Sequence, residues 1–277
     1  MARLDTLRAV LALANKEGMA VHQMDVKTAF LNGTLSEELY MQQPEGCSRK
    51  DGLVCRLHKS IYGLKQASRT WNDRFHSFME KLGFNRSAND LCLYIRGTGK
   101  NQVILILYVD DVLLVSPSEK IVLEIKQALS REFEMTDVGP VKCFLGMKIE
   151  RDIEKKVMRI SQRSYLESLL TRFGMEDCRP VSTPMEHRLR LEKGDEAKRI
   201  DKPYRELVGY IMYVSMTSRP DLAAAANYFS QFQTCFNEEH WIHLRRVLRY
   251  IKGTLDVGLV YRADNEGQLL EVFSDAD

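Results

Sequence analysis

A chain of 277 residues, 44% hydrophobic and 28% charged, holds enough apolar material for a sizeable core and for more than one subdomain. Its formal net charge of only +2 excludes a basic tail or histone-like binder and makes any nucleic-acid surface a local one. The six cysteines, at 47, 55, 92, 143, 178 and 235, form no C-x-x-C pair and read as reduced thiols of a cytosolic or nuclear protein. The N-terminal stretch is charged from Arg3 onward and has no signal-peptide core. The apolar run from Val103 to Val109 is too short to span a bilayer, so neither secretion nor a membrane partner is expected.

Leu4, Leu7, Val10, Leu11 and Ala14 recur at helical spacing, and Gly18 follows as a stop. Residues 20–26, "AVHQMDV", alternate like a half-buried strand with Val21, Gln23 and Asp25 on one face. Residues 32–46 are polar and rich in turn formers. A second helix is expected over 69–82, where Trp71, Phe75, Phe78 and Leu82 share a face. Strands follow at 91–95 and 103–109, separated by "GTGKN", and a short one at 112–115. Ser116 as N-cap, Pro117 and Glu119 announce a helix running to about Phe133. "CFLGMKIER" and "KVMRIS" read as paired strands joined by the charged residues 150–156. Beyond Ser161 helices are expected at 163–173, 204–217, 221–233 and 238–252, with a Pro-, Gly- and charge-rich connector at 179–203. The class is α+β: strands with packed helices first, a mainly helical part second.

Within "ILILYVDDVLLV" (104–115), Asp110 and Asp111 interrupt an apolar run. A hairpin with the two acids at its tip would project them from the core. An ordinary turn fits this as well as a site does, since Asp is common in turns. The favoured two-residue turns, however, carry Asn-Gly or Asp-Gly, and this pair lacks the glycine. Asp25, near the end of its own strand, supplies a third acid. Carboxylates delivered to one point by two strands suit hard divalent cations such as Mg²⁺. Two such ions can clamp the attacking 3′-hydroxyl and the leaving pyrophosphate of an in-line phosphoryl displacement.

The stretches "VHQMDVKTAFLNGTLSEELYMQQPEG", "LHKSIYGLKQASRTWNDRF", "LYVDDVLLVS" and "FLGMKIER" resemble the reverse transcriptase of copia-type retrotransposons. "YRELVGYIMYVSMTSRPDLA", "HWIHLRRVLRYIKGT" and "FSDAD" resemble later parts of the same Pol polyprotein, so the likeness runs over essentially the whole chain. It implies a right-hand polymerase: an antiparallel palm with packed helices and partial fingers over 1–152, a thumb over 153–234 and a connection over 235–270. Residues 271–277 would open an RNase H domain, with Asp275 at its first metal-binding acid and the remaining carboxylates absent, so RNase H activity is not expected.

The likeness implies RNA-directed DNA polymerase activity on a primed RNA or DNA template with dNTPs, using two Mg²⁺ ions or Mn²⁺ in their place. Asp25, Asp110 and Asp111 match the catalytic acids, and Val26 joins them in the metal set. Lys27, Thr28, Ala29, Lys65 and Gln66 fall at the incoming nucleotide, and Phe30 at the aromatic steric gate against a ribose 2′-OH. Read without the family, Phe30 is a core residue, and Lys65 and Gln66 a solvated turn. Phe144, Leu145, Gly146 and Met147 resemble the primer grip. The implied partners include integrase and RNase H parts of the polyprotein, in a cytoplasmic virus-like particle or the nucleus.

One departure from the family bears on activity, and two smaller ones are compatible with folding. Met1 stands directly before "ARLDTLRAV", where the family carries basic fingers strands that meet the triphosphate; the alternative reading is therefore an inactive remnant that retains nucleic-acid binding. Ser68 and Leu91 stand where the family often has prolines.

On the helix at 238–252, Arg245, Arg249 and Lys252 form a basic face that fits phosphate contacts or simple solvation. Cys235, His240 and His243 lack a fourth ligand at zinc spacing, and Trp71 and Trp241 read as core anchors.

Overall fold

The computed structural model describes residues 2–46, 52–194 and 200–263. The chain divides between Val141 and Lys142 into two compact units.

The first unit runs α1 (Leu4–Lys16), β1 (Ala20–Val26), a 3-10 turn (Ala29–Asn32), β2 (Thr34–Gln42), β3 (Val54–Lys59), α2 (Ala67–Lys81) and β4 (Asn85–Arg86). It continues with β5 (Leu93–Arg96), β6 (Val103–Tyr108), β7 (Asp111–Ser116), α3 (Glu119–Glu132) and β8 (Met135–Pro140). Six strands form one sheet in the order β4-β5-β6-β7-β1-β8, antiparallel at every step. β1 is therefore an interior strand, and α3 packs on it together with β7 and β8. That placement corrects the half-buried expectation: His22, Gln23, Met24 and Val26 are all buried, whichever face they occupy. The buried polar groups find partners, as they must. Lys126 Nζ of α3 lies 2.8 Å from His22 Nδ1 and 2.6 Å from Asp137 Oδ1, and His22 Nε2 lies 3.0 Å from Glu119.

The other local features follow from side-chain chemistry. α1 buries Leu7, Val10, Leu11 and Ala14, the periodic stripe, and Gly18 behind it adopts φ +66°. α2 turns Trp71, Phe75 and Phe78 onto Phe133, all four buried, with ring centroids 5.2–5.8 Å apart. Each such burial contributes about 1.5–3 kcal/mol. The α3 N-cap is Ser118, whose hydroxyl accepts from Ile121 N–H, rather than Ser116; the Ser116 hydroxyl instead donates to the Gln102 carbonyl. Residues 32–46, expected as turns, contain β2, which pairs with β3 as a separate two-stranded sheet. One face of each strand is only part-buried, by Leu39 and Met41 against Leu57 and Cys55, and the other is exposed, so the apolar alternation is short and weak.

The second unit holds β9 (Cys143–Phe144), β10 (Met147–Asp152), β11 (Val157–Ser161), α4 (Arg163–Arg172), α5 (Tyr204–Thr217), a 3-10 turn (Pro220–Leu222), α6 (Ala223–Ser230), α7 (Glu238–Gly253) and β12 (Leu259–Arg262). Its sheet has the order β12-β11-β10-β9, so the strands through residue 152 pair within this unit. The helix expected over 221–233 is a 3-10 turn followed by a shorter α-helix ending at Ser230. Leu166, Leu207, Ile211, Phe229, Leu244 and Leu248 lie in one buried core.

Arg219 is fully buried and fully used: it forks onto Asp221 and reaches the Thr254 carbonyl and hydroxyl. The described part of the connector is pinned rather than loose. Tyr228 Oη accepts from Leu191 N–H, and the Arg249 carbonyl accepts from Val181 N–H. Residues 271–277, expected to open an RNase H domain with Asp275, lie outside the described residues. Among the described residues no helix is long and apolar enough to cross a membrane.

Candidate active site

The β1–β7 ladder sets Asp25 directly opposite Asp111. Like charges in that position destabilise a sheet unless something offsets them. Asp110 joins them from the β6–β7 turn, where its carbonyl accepts from Val26 N–H at 2.7 Å. Tyr108 pairs with Asp111, so the two central residues of the turn are Val109 and Asp110. The expected Asp-Asp tip is thus shifted by one residue: Asp111 already belongs to β7, because its partner in the ladder is Tyr108.

Val109 takes φ +56°, a conformation that β-branched residues rarely adopt. Such backbone strain costs on the order of 1–3 kcal/mol and persists only where its surroundings enforce it. The enforcing contact is visible: Trp71, 2% exposed, donates its indole N–H to the Val109 carbonyl at 2.8 Å.

Asp111 and Asp110 each have a side-chain partner. Gln23 Nε2 donates to Asp111 Oδ1 at 2.9 Å, while Gln23 Oε1 has no hydrogen-bond partner among the described residues. Gln23 stands two residues before Asp25, on the same side of β1. Burial pushes the Asp111 carboxyl up; the Gln23 bond opposes this, and the charges of Asp25 and Asp110 add to it. Tyr62 Oη donates to both Asp110 oxygens, at 3.1 and 3.3 Å. The donor set is all oxygen and mutually repulsive, which suits a hard dication. Among the described residues, however, no three His, Cys, Asp or Glu side chains are gathered closely enough to hold a metal ion.

The neighbouring candidates are placed as follows. Lys27 is exposed and paired with Glu134 at 2.8 Å. Thr28 is left-handed at φ +51°, and Ala29 is buried. Phe30 is half-buried with its ring 4.6 Å from that of Tyr62. Lys65 is exposed, and Gln66 leads into α2, its carbonyl accepting from Thr70 N–H and the Thr70 hydroxyl. Neither Lys65 nor Gln66 is bonded to the three acids among the described residues.

In the second unit Phe144 and Met147 flank a two-residue turn of Leu145 (φ +49°) and Gly146 (φ +74°). Tyr213 Oη donates to the Leu145 carbonyl at 3.1 Å. The α7 arginines are engaged internally: Arg245 with Met175 Sδ and Arg249 with the Arg179 carbonyl, while Lys252 is half-buried. His240 is buried and completes the α7 capping box with Asn237.

Sequence reasoning missed Gln23, Tyr62 and Trp71 as site residues. Gln23 carried a signal, a long polar side chain on a buried strand in phase with Asp25. Trp71 and Tyr62 reach the turn from 38 and 48 residues away, a distance no local pattern reports.

Fold and site define an α+β protein with acids on the adjoining ends of two interior antiparallel strands. The family model described as reverse transcriptase (RNA-dependent DNA polymerase) matches residues 1–187. The Pol polyprotein of transposon TNT 1-94 from Nicotiana tabacum is 40% identical over 99% of this chain and 21% of its own length. That of transposon RE2 from Arabidopsis thaliana is 37% identical over 98% of this chain and 19% of its own. A putative transposon Ty5-1 protein of Saccharomyces cerevisiae is 34% identical over 91% of this chain and 82% of its own. The chain belongs to the reverse transcriptase family, as that region of copia-type retrotransposon Pol polyproteins. It spans about a fifth of the length of the TNT 1-94 and RE2 polyproteins.

Proposed function

We propose that the chain performs RNA-directed DNA synthesis, joining a dNTP to a primer 3′-hydroxyl on an RNA or DNA template. The observation that carries this reading is the pairing of Asp25 with Asp111 beside Asp110, in a member of the reverse transcriptase family. Asp25, Asp110 and Asp111 would hold two Mg²⁺ ions, or Mn²⁺; Val26, which has no ligating side-chain atom, would contribute its carbonyl oxygen. When bound, the ions supply charge neutralisation at the attacking and leaving oxygens. The chain's own residues do the rest. Trp71 holds the turn that aims Asp110. Gln23 orients Asp111. Phe30 closes the space a 2′-hydroxyl would need, and residues 27–29 with Lys65 and Gln66 line the path of the triphosphate. Residues 144–147 act on the primer as its grip, and Arg245, Arg249 and Lys252 are the weaker candidates for duplex contact. Template, primer and other Pol polyprotein parts are the partners, inside the cell.

The test is primer extension on an RNA template with dNTPs and Mg²⁺, comparing the parent with Asp110→Ala. Extension by the parent alone supports the reading. No extension by a folded parent that still binds template–primer would replace it with that of a binding remnant.

A further inference from the structure

The Tyr62 hydroxyl occupies a telling position. It donates to both oxygens of Asp110, at 3.1 and 3.3 Å, so it lies in the cleft of the carboxylate, where a cation would otherwise approach. A nucleoside triphosphate bound with its divalent cation would bring a positive centre to the same carboxylate cleft.

Tyr62 is also built to leave. It is 51% exposed, and its ring rests on Phe30 at 4.6 Å. It occupies the second position of a turn from Ile61 to Leu64, closed by Leu64 N–H on the Ile61 carbonyl at 3.4 Å. The third position is Gly63 at φ +97°, with open space where a Cβ would stand. Glycine there meets the positive φ the turn demands.

We propose that Tyr62 is the gate of the nucleotide site: in the free protein its hydroxyl occupies the cleft of the Asp110 carboxylate, and a triphosphate with its divalent cation displaces it. The inference rests on the polymerase reading and names a residue that regulates the same site. Occupation by Tyr62 also accounts for the acids not converging. A hydroxyl that chelates Asp110 holds that carboxylate toward itself.

The experiment is titration calorimetry of dTTP with Ca²⁺, which supports binding without turnover, on the parent and on Tyr62→Phe. Phenylalanine keeps the ring on Phe30 and removes only the hydroxyl, at an exposed position where folding does not depend on it. The gate predicts that Tyr62→Phe binds dTTP–Ca²⁺ about ten-fold tighter, since a bond to a charged group no longer competes. Equal or weaker binding by Tyr62→Phe, with binding by the parent intact, overturns the gate and leaves the polymerase reading standing. Absence of dTTP–Ca²⁺ binding in both proteins overturns the polymerase reading and the gate with it.

Discussion

Trp71→Phe tests how the Val109–Asp110 turn is held. The substitution keeps an aromatic ring against Phe75 and Phe133 but removes the N–H that reaches the Val109 carbonyl. The lost hydrogen bond is worth about 1 kcal/mol, and leaving a part-buried carbonyl unpaired adds roughly 1–2 kcal/mol. The smaller ring costs up to about 1 kcal/mol more in packing. Local opening of the β6–β7 hairpin should therefore become easier by about 2–4 kcal/mol, roughly a 30- to 700-fold faster amide exchange. Hydrogen–deuterium exchange of peptides covering 103–116 reads this directly.

The decisive comparison is with Val109→Gly, which accepts the positive φ without the roughly 1–2 kcal/mol that a side chain pays. If Trp71 enforces that conformation, Trp71→Phe should cost less in the Val109→Gly background, with a coupling of about 1 kcal/mol. Strict additivity, within the ~0.5 kcal/mol expected of independent sites, would refute the clamp.

Two further outcomes are expected. Asp111→Asn should raise the melting temperature at pH 7 and lose that advantage in acid. The native carboxyl titrates above its unfolded value, so its favourable contribution exists below about pH 4 and is lost as pH rises through the raised native value; calorimetry from pH 3 to 7 checks the sign. Phe30→Ala should cut the preference for dNTPs over rNTPs by about ten-fold or more, the factor carried by ~1.4 kcal/mol of lost exclusion. Single-nucleotide incorporation measures that ratio, and an unchanged preference would return Phe30 to a packing role against Tyr62.

Much of the fold was legible wherever burial imposed a period. The α1 stripe and the aromatic face of α2 follow from spacing, and β6 and β7 from an unbroken apolar run. The acids were legible as an interruption of that run. The β2–β3 hairpin was not, because its part-buried face offers only a short alternation, Leu39 and Met41 opposite Leu57 and Cys55, among polar residues. Nor was the true turn residue, since ladder register rather than composition decides which residue is central.

On α7, Arg249 is bonded to the chain near residue 179 and Arg246 to Thr183 and Glu186, ties that the helical spacing of the basic residues does not report. Two strained turns share one device: an aromatic side chain donates to the carbonyl of the left-handed residue, Trp71 to Val109 and Tyr213 to Leu145. Such long-range ties decide where the candidate site residues stand, and they are invisible to local pattern.

The central claim is that Asp25, Asp110 and Asp111 together bind the divalent cation of a polymerase. Fe²⁺ substituted for Mg²⁺, with ascorbate and peroxide, cleaves a polypeptide beside the bound ion and locates it without requiring turnover. The account predicts cuts near residues 25–26 and 109–111, suppressed by excess Mg²⁺ and lost in Asp110→Ala. Cuts elsewhere, or cuts at these positions that persist unchanged in Asp110→Ala, would contradict it.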